Sequence, residues 1–233
     1  EKLPPLMAFT ANEKGLDRLL AFPLPWVACF VSVSEAFNQR NVNATVAKSL
    51  DQVRTIVEKS KKEKRRVRVY VSTVFGCPYQ GPIADEGLET VFREVAALDP
   101  DEIALGDTIG VATPSQVKKI VGRLSSFFPS EKIAAHFHNT FGMGLAAAWA
   151  AYEAGVRSFD GAVGGIGGCP YAKGASGNLS SEDLLYLFQR EGVGASFSAS
   201  AFQAALKQCQ ALGLNPQGAL SAVWQKGGNW YGV

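Results

Sequence analysis

The sequence predicts an α/β fold of the (β/α)8 TIM-barrel type, with about six of the eight βα units present in its 233 residues. Short apolar or β-branched runs alternate with segments of helical period, as in parallel sheets covered by helices. Polar residues follow nearly every run. A doubly wound sheet gathers its site at one reversal of strand order. A barrel builds its site from loops at the carboxyl ends of many strands, so this distribution favours the barrel.

Six runs are predicted as strands: 6–10, 26–34, 66–75, 102–107, 132–138 and 158–163. The segment between the second and third runs has one apolar face typical of a helix lying on a sheet, formed by Val46, Leu50, Val53, Ile56 and Val57. Thr113, followed by Pro114 and Gln116, predicts a capped helix start. An Ala-rich helix over 141–154 is predicted to end at Gly155, and Ser180 is predicted to open another helix.

Composition excludes several classes of protein. The chain has 23 Lys and Arg against 21 Asp and Glu, a formal charge of +2 that is too small for a general nucleic-acid or membrane-surface binder. Hydrophobic residues make up 47%, so a folded core is expected rather than disorder. The most apolar stretch, 22–37, contains Pro23 and Pro25 and is shorter than the ~20 residues of a membrane helix. We therefore expect no nucleic-acid partner and no membrane span.

The four cysteines are widely spaced and form no CxxC pair, which indicates reduced thiols in a cytosol-like compartment. The opening EKLPPLM has neither an initiating Met nor the basic-then-apolar order of a signal peptide. A single domain over 1–233 is expected, with a helical extension over about 194–233. Because only six βα units are recognised, we expect the first two units of the barrel to be missing.

The two histidines of the chain, His136 and His138, are separated by one residue. On a strand such residues point to the same face, so both imidazoles are expected in one site. Two neutral imidazoles on one face can bind a metal ion. A hydrogen-bonded pair at a strand end is the alternative.

A glycine-rich run, GGIGGCPYAKGASGN, occupies 164–178. It lacks the Gly-Lys-Ser/Thr of a P-loop, and Pro170 breaks the G-x-G-x-x-G spacing, so nucleotide binding through those motifs is disfavoured. The run carries Cys169 and Asn178, which could place a thiol and an amide oxygen over the barrel mouth. A plain glycine-rich linker is the alternative.

This run, together with HFHNT, LGDTIGVATP and YVSTVFGCPYQG upstream, closely resembles the 3-hydroxy-3-methylglutaryl-CoA lyases of the TIM-barrel metallolyase superfamily. The resemblance extends from about residue 6 to residue 193. The cysteine run is its most specific part, because related synthases and aldolases share the HxH strand but not GGCPYAxGASGN.

The resemblance implies a divalent metal, Mg²⁺ or Mn²⁺, with His136, His138 and Asn178 as ligands. It implies catalytic roles for His136, for Cys169 as a mobile-loop acid/base, and for Asp107 as a polar group near the reacting centre. Residues that it implies for substrate binding are Tyr70, Cys77 and Thr108. The implied reaction cleaves an acyl-CoA, 3-hydroxy-3-methylglutaryl-CoA, into acetyl-CoA and acetoacetate. A homodimer, in the bacterial cytoplasm or the mitochondrial matrix, is also implied.

The sequence departs from the family at two places. Asn139 follows the HxH motif where many lyases have Asp, so a hydrogen bond can be kept but the charge is lost. No stretch matches the family's first strand, whose Arg-Asp pair provides a carbonyl-activating cation and a metal ligand, or the Glu of its second strand. We therefore expect little or no lyase activity from these 233 residues alone. The alternatives are a related carbon–carbon bond synthase or aldolase, or a catalytically inactive acyl-CoA-binding barrel.

Overall fold

The computed structural model describes residues 4–168, 177–194 and 198–228, and within them six strands form one sheet. The strands are β1 (Met7–Phe9), β2 (Trp26–Ser32), β3 (Arg66–Ser72), β4 (Glu102–Asp107), β5 (Ile133–Phe137) and β6 (Ser158–Phe159). All neighbouring pairs are parallel, and the order across the sheet is the order along the chain. The sheet curls into part of a barrel, and it shows no reversal of a doubly wound kind. The predicted fold class is confirmed.

The strands are connected and covered by helices in the described residues. These helices are α1 (Glu13–Leu20), α2 (Glu35–Val42), α3 (Val46–Lys62), α4 (Asp85–Ala97), α5 (Pro114–Leu124), α6 (Gly144–Glu153), α7 (Ser181–Arg190), α8 (Ala199–Ala211) and α9 (Ala219–Gln225). No helix in this part of the chain combines the length and apolar character needed to cross a membrane.

The two faces of β3 show how the sequence separates core from site. Val67, Val69 and Val71 are fully buried in the apolar core, which they share with Ile56 and Val57 of α3. Burial of each such side chain contributes about 1.5–3 kcal/mol. The alternate residues, Arg68, Tyr70 and Ser72, lie on the interior side of the barrel. The period of two therefore directs apolar side chains to the helices and polar ones to the interior.

Helix boundaries follow the predicted caps. The Thr113 side chain accepts a hydrogen bond from the Gln116 amide at 3.3 Å, and the Gln116 side chain accepts one from the Thr113 amide at 3.1 Å, which completes a capping box. Ser180 caps α7 through the Asp183 amide. Gly155, with φ of 104°, follows the end of α6 as predicted.

Three predicted elements are shorter than expected by three or more residues at one end. The third strand stops at Ser72 because Thr73 has a left-handed backbone, with φ of 61°. The sixth stops at Phe159, and Val163–Gly165 form a 3-10 turn instead. Helix α6 begins at Gly144 rather than at 141, because a turn precedes it in which the Asn139 side chain accepts from the Gly144 amide at 3.0 Å. Asn139 thus keeps a hydrogen bond without the charge of Asp.

Candidate metal and substrate site

A cavity of about 1020 Å³ lies on the interior side of the sheet and reaches the carboxyl ends of its strands. One wall is apolar and includes Met7, Phe9, Phe30, Phe37 and Val42. The other wall is polar and includes Arg68, Tyr70, Ser72, Thr108, His136, His138, Asp160 and Asn178. An apolar pocket with a few convergent polar groups is the usual form of a small-molecule site.

Both histidines face this cavity. His136 belongs to β5 and His138 follows the strand directly, so the two-residue spacing places them on one face, as expected. Their Nε2 atoms are 3.3 Å apart. Burial, together with the neighbouring His136, lowers the pKa of His138 to about 4. The His138 imidazole is therefore neutral at pH 7, the form that binds metal ions.

Asn178 lies beside the histidine pair. Its backbone forms a bridge with that of His138, and its side-chain Nδ2 donates to the Ile166 carbonyl at 2.9 Å. This hydrogen bond leaves Oδ1 as the amide atom that can bind a cation. Gly177, with φ of 108°, fits closely against the backbone of Gly167, which brings the two ends of the glycine-rich run together.

The donor set of the cavity fits a divalent cation. The described residues contain no group of three or more His, Cys, Asp or Glu side chains around one metal position. What they offer instead is two imidazole nitrogens and an amide oxygen, from His136, His138 and Asn178. Imidazole suits Zn²⁺ and related ions, whereas carbonyl oxygen suits Mg²⁺ and Mn²⁺, so this mixed set can hold an ion of either kind.

A buried ionic network supports the histidine pair. The Asp160 carboxylate accepts from His136 Nδ1 at 3.2 Å, from the Tyr70 hydroxyl at 2.9 Å and from Arg68 at 2.6 Å. Arg68 also donates to Glu102 at 2.6 Å. Although burial alone raises the pKa of Asp160, the hydrogen bond from His136 and the charge of Arg68 outweigh it and hold that pKa below its usual range. Burial and Asp160 raise the pKa of Tyr70 to about 12. Asp160 is therefore ionised and Tyr70 is neutral at pH 7.

Asp107 and Thr108 follow β4 in different ways. Thr108 lines the cavity, and its Oγ1 accepts from the Thr73 amide at 2.8 Å. The buried Asp107 carboxylate accepts from the Val111 and Ala112 amides at 2.9 and 3.0 Å. Burial raises its pKa, and these backbone donors lower it in part. In the structure Asp107 orders the loop after β4, while its catalytic role stays a prediction.

Two cysteines, Cys77 and Cys169, are expected in the site. Cys77 is buried outside the cavity wall, with its Sγ 3.0 Å from the Ser34 hydroxyl. Its role in substrate binding stays a prediction. Cys169 lies outside the described residues, but Gly168, the residue before it, lines the cavity.

Comparison with known proteins shows which family this arrangement belongs to. Residues 2–208 match the family described as HMGL-like. The chain belongs to the HMGL-like family. It is 42% identical over 180 residues to the 3-hydroxy-3-isohexenylglutaryl-CoA/hydroxy-methylglutaryl-CoA lyase of Pseudomonas aeruginosa, an alignment that covers 77% of this chain and 60% of that relative. The chain thus spans less than two thirds of that relative's length.

Solved structures of HMGL-like proteins show the same fold. The crystal structure of hydroxymethylglutaryl-CoA lyase from Pseudomonas aeruginosa superimposes with a TM-score of 0.91 at 36% identity, covering 97% of this chain and 77% of the other. An HMG-CoA lyase from Acinetobacter baumannii, solved in complex with coenzyme A and 3-methylmalate, gives a TM-score of 0.89 at 34% identity, covering 97% and 73%.

Two cavity residues of this HMGL-like chain, Arg68 and Asp160, are not identified by sequence reasoning. Asp160 follows the predicted sixth strand, and Arg68 alternates with Tyr70 on the third. Their positions on and after predicted strands are the sequence features that could have indicated them. Their mutual contact spans 92 residues of sequence and depends on the barrel bringing β3 and β6 to one interior.

Proposed function

We propose that this barrel takes part in the metal-dependent cleavage of 3-hydroxy-3-methylglutaryl-CoA into acetyl-CoA and acetoacetate. Family membership and relatives that carry the name of this lyase support the substrate. The complex of the Acinetobacter baumannii enzyme with coenzyme A supports an acyl-CoA ligand. The observation that carries the proposal is the imidazole pair beside Asn178, in a cavity that also has an apolar wall.

The proposed metal ligands of the chain are His136, His138 and Asn178, with Mg²⁺ or Mn²⁺ as the ion. Such an ion, when bound, polarises a substrate oxygen and favours loss of the C3 hydroxyl proton. Because its pKa is lowered, the His138 ring is neutral at pH 7, and one of its two nitrogens has a free lone pair. The hydrogen bond from Asn178 Nδ2 to Ile166 fixes the direction of the amide.

The remaining chemistry is a retro-Claisen step. The C3 hydroxyl proton passes to a base, the bond between C2 and C3 breaks, and the C3 oxygen becomes the ketone of acetoacetate. C2 of the acetyl-CoA enolate then takes a proton, so one proton is lost and one is gained. We assign that proton to the Cys169 thiol, because an ordinary thiol pKa near ~8.5 suits an acid at neutral pH. The cavity-lining position of Gly168 beside it supports this assignment.

The apolar wall gives the acyl part of the substrate a complementary surface. Phe9 and Phe30 stack with ring centroids 5.6 Å apart, and they face the side that carries the histidines. We place the methyl-bearing carbon chain against this wall, with its carboxylate and hydroxyl toward the polar one.

The test is acetoacetate formation from 3-hydroxy-3-methylglutaryl-CoA with added Mn²⁺. The assay uses the 233-residue chain and the complete open reading frame that contains it, each beside His138→Ala and Cys169→Ala. We expect turnover by the protein that the complete open reading frame encodes. Its activity should fall by at least about 100-fold in either variant. Binding of the substrate without turnover by the protein from the complete open reading frame would favour an inactive acyl-CoA-binding barrel. Turnover of another acyl-CoA or 2-oxo acid alone would favour a related synthase or aldolase.

The proposal also includes an oligomeric state and a cellular compartment. We propose a homodimer, and we propose the bacterial cytoplasm or the mitochondrial matrix as the compartment. Relatives include a Bacillus subtilis protein and a mitochondrial protein of Bos taurus, which supports this choice of compartments. Sedimentation of the purified protein tests the dimer.

A further inference from the structure

We propose that Asp160 is the positioning residue for His136, holding its imidazole with the proton on Nδ1 so that Nε2 can bind a divalent cation. This inference rests on the metal site of the proposed function. It begins with the 3.2 Å contact between Asp160 Oδ2 and His136 Nδ1. A carboxylate only accepts hydrogen bonds, so Nδ1 must carry the hydrogen. In the neutral ring, Nε2 then has a lone pair, and this atom faces His138 Nε2.

Asp160 is itself fixed from several directions. Its backbone amide donates to the carbonyl of Ala135, the residue before His136, at 2.9 Å. Its Oδ1 accepts from Arg68 at 2.6 Å, and its Oδ2 accepts from the Tyr70 hydroxyl at 2.9 Å. The carboxylate is therefore already oriented toward His136 by contacts that do not involve a metal ion.

Arg68 supplies the charge that keeps this arrangement in the barrel interior. Only 10% of its side chain is exposed, and it lies between the carboxylates of Asp160 and Glu102. It also donates to the Ser158 hydroxyl at 3.1 Å. A buried cation with two anionic partners compensates the burial of both carboxylates, so Asp160 can remain a carboxylate next to an imidazole.

This arrangement is a carboxylate–histidine pair directed at a proposed metal position. Such partners fix the tautomer and direction of a ligating ring, and their loss typically weakens metal affinity by about 10- to 100-fold. Asp160 does not contact the proposed metal position directly, because His136 lies between them. It acts through the ring.

The first measurement is the tautomer of His136 in the metal-free chain. Because the chain has two histidines, a long-range ¹H–¹⁵N spectrum of histidine-labelled protein contains two imidazoles. We expect His136 to be protonated on Nδ1 in the wild type and in Asp160→Asn, whose amide oxygen can still accept. In Asp160→Ala we expect a shift toward the Nε2-protonated form. An unchanged His136 spectrum in Asp160→Ala would overturn the proposal.

The second measurement is the Mn²⁺ dissociation constant, followed by the EPR signal of free Mn²⁺. We expect about 10- to 100-fold weaker binding in Asp160→Ala and a smaller loss in Asp160→Asn. Asp160→Asn keeps the volume of the side chain, so it carries the test if the Ala variant does not fold. Asp99→Asn is the matched control: it removes the same charge at an exposed position near the amino end of β4, and no loss is expected.

The outcomes separate this inference from the proposed function. Unchanged Mn²⁺ affinity in both Asp160 variants would overturn the positioning role and leave the metal site intact. Absence of Mn²⁺ binding by the wild type would overturn the metal site, and the role of Asp160 toward a cation with it.

Discussion

His136 and His138 are the site residues that the sequence identifies most directly. Their spacing of two, within an apolar run, determines that both rings face the same side of a strand. Asn178 is identified as a site residue through the resemblance of its glycine-rich run to a known family. Asp160 could not be found in either way, because its contacts with Arg68 and Tyr70 depend on two strands about 90 residues apart meeting in the interior. Local spacing predicts a shared face, whereas long-range partners need the register of the folded sheet.

Gly177 provides a prediction at this scale. Its φ is 108°, and a Cβ there would meet the carbonyl oxygens of Gly167 and Gly165. We expect Gly177→Ala to lower the free energy of unfolding by more than about 2 kcal/mol. We also expect weaker Mn²⁺ binding, because Asn178 must shift. Urea denaturation and Mn²⁺ titration measure the two effects.

The matched control for that variant is Gly142→Ala. Gly142 has φ of 73° but no atom within 4 Å of an added Cβ, so it shows backbone strain without the clash. We expect a loss of only about 1 kcal/mol and unchanged Mn²⁺ affinity. Equal effects of the two substitutions would show that close packing at Gly177 does not position Asn178.

At the scale of elements, the sequence predicts what short-range physics determines. The capping box at Thr113 and the glycine after α6 follow from local hydrogen bonding and backbone freedom, and both are present. Strand ends are predicted less well. Thr73 turns left-handed where its β-branched side chain suggests an extended strand, and there its amide donates to Thr108, which follows the neighbouring strand β4. A tertiary hydrogen bond of this kind leaves no local pattern.

The Thr113 cap gives a prediction for α5. Thr113→Ala removes the acceptor for the Gln116 amide, which is one half of the capping box. We expect a loss of about 1 kcal/mol in the free energy of unfolding, measured by urea denaturation. Thr90→Ala makes the same change on the exposed side of α4, away from a helix start, and should cost nothing. A loss at Thr90 as large as that at Thr113 would contradict the capping role.

The helices after the sheet are joined to the glycine-rich turn by Glu182. This residue is fully buried, and its carboxylate accepts from the Gly164 amide at 3.0 Å and from the Ser221 hydroxyl of α9. Glu182→Ala leaves both donors buried without an acceptor. We therefore expect the free energy of unfolding to fall by about 3 kcal/mol. Faster hydrogen exchange at Gly164 should accompany it. Glu191→Ala, at an exposed position after α7, is the control and should change stability little.

At the scale of the molecule, the alternation of apolar runs and helical segments predicts a parallel sheet, and the spread of polar residues over the strand ends predicts a barrel. Both are observed, because the strand order follows the chain without reversal. The cavity wall then combines residues from all six described strands and from the segments after them. The sequence predicts that the polar residues gather at this end, but their pairing into an ionic network under the histidines emerges only when the sheet curls.

The most direct test of this account is the nitrogen coordination of bound Mn²⁺ in chain labelled with ¹⁵N-histidine, measured by electron spin-echo envelope modulation. Since the chain has two histidines, every ¹⁵N coupling comes from His136 or His138. We predict two coupled nitrogens in the wild type and one in His138→Ala. Mn²⁺ bound with no ¹⁵N coupling, or with the same coupling in His138→Ala as in the wild type, would contradict the metal site on which the proposed function rests.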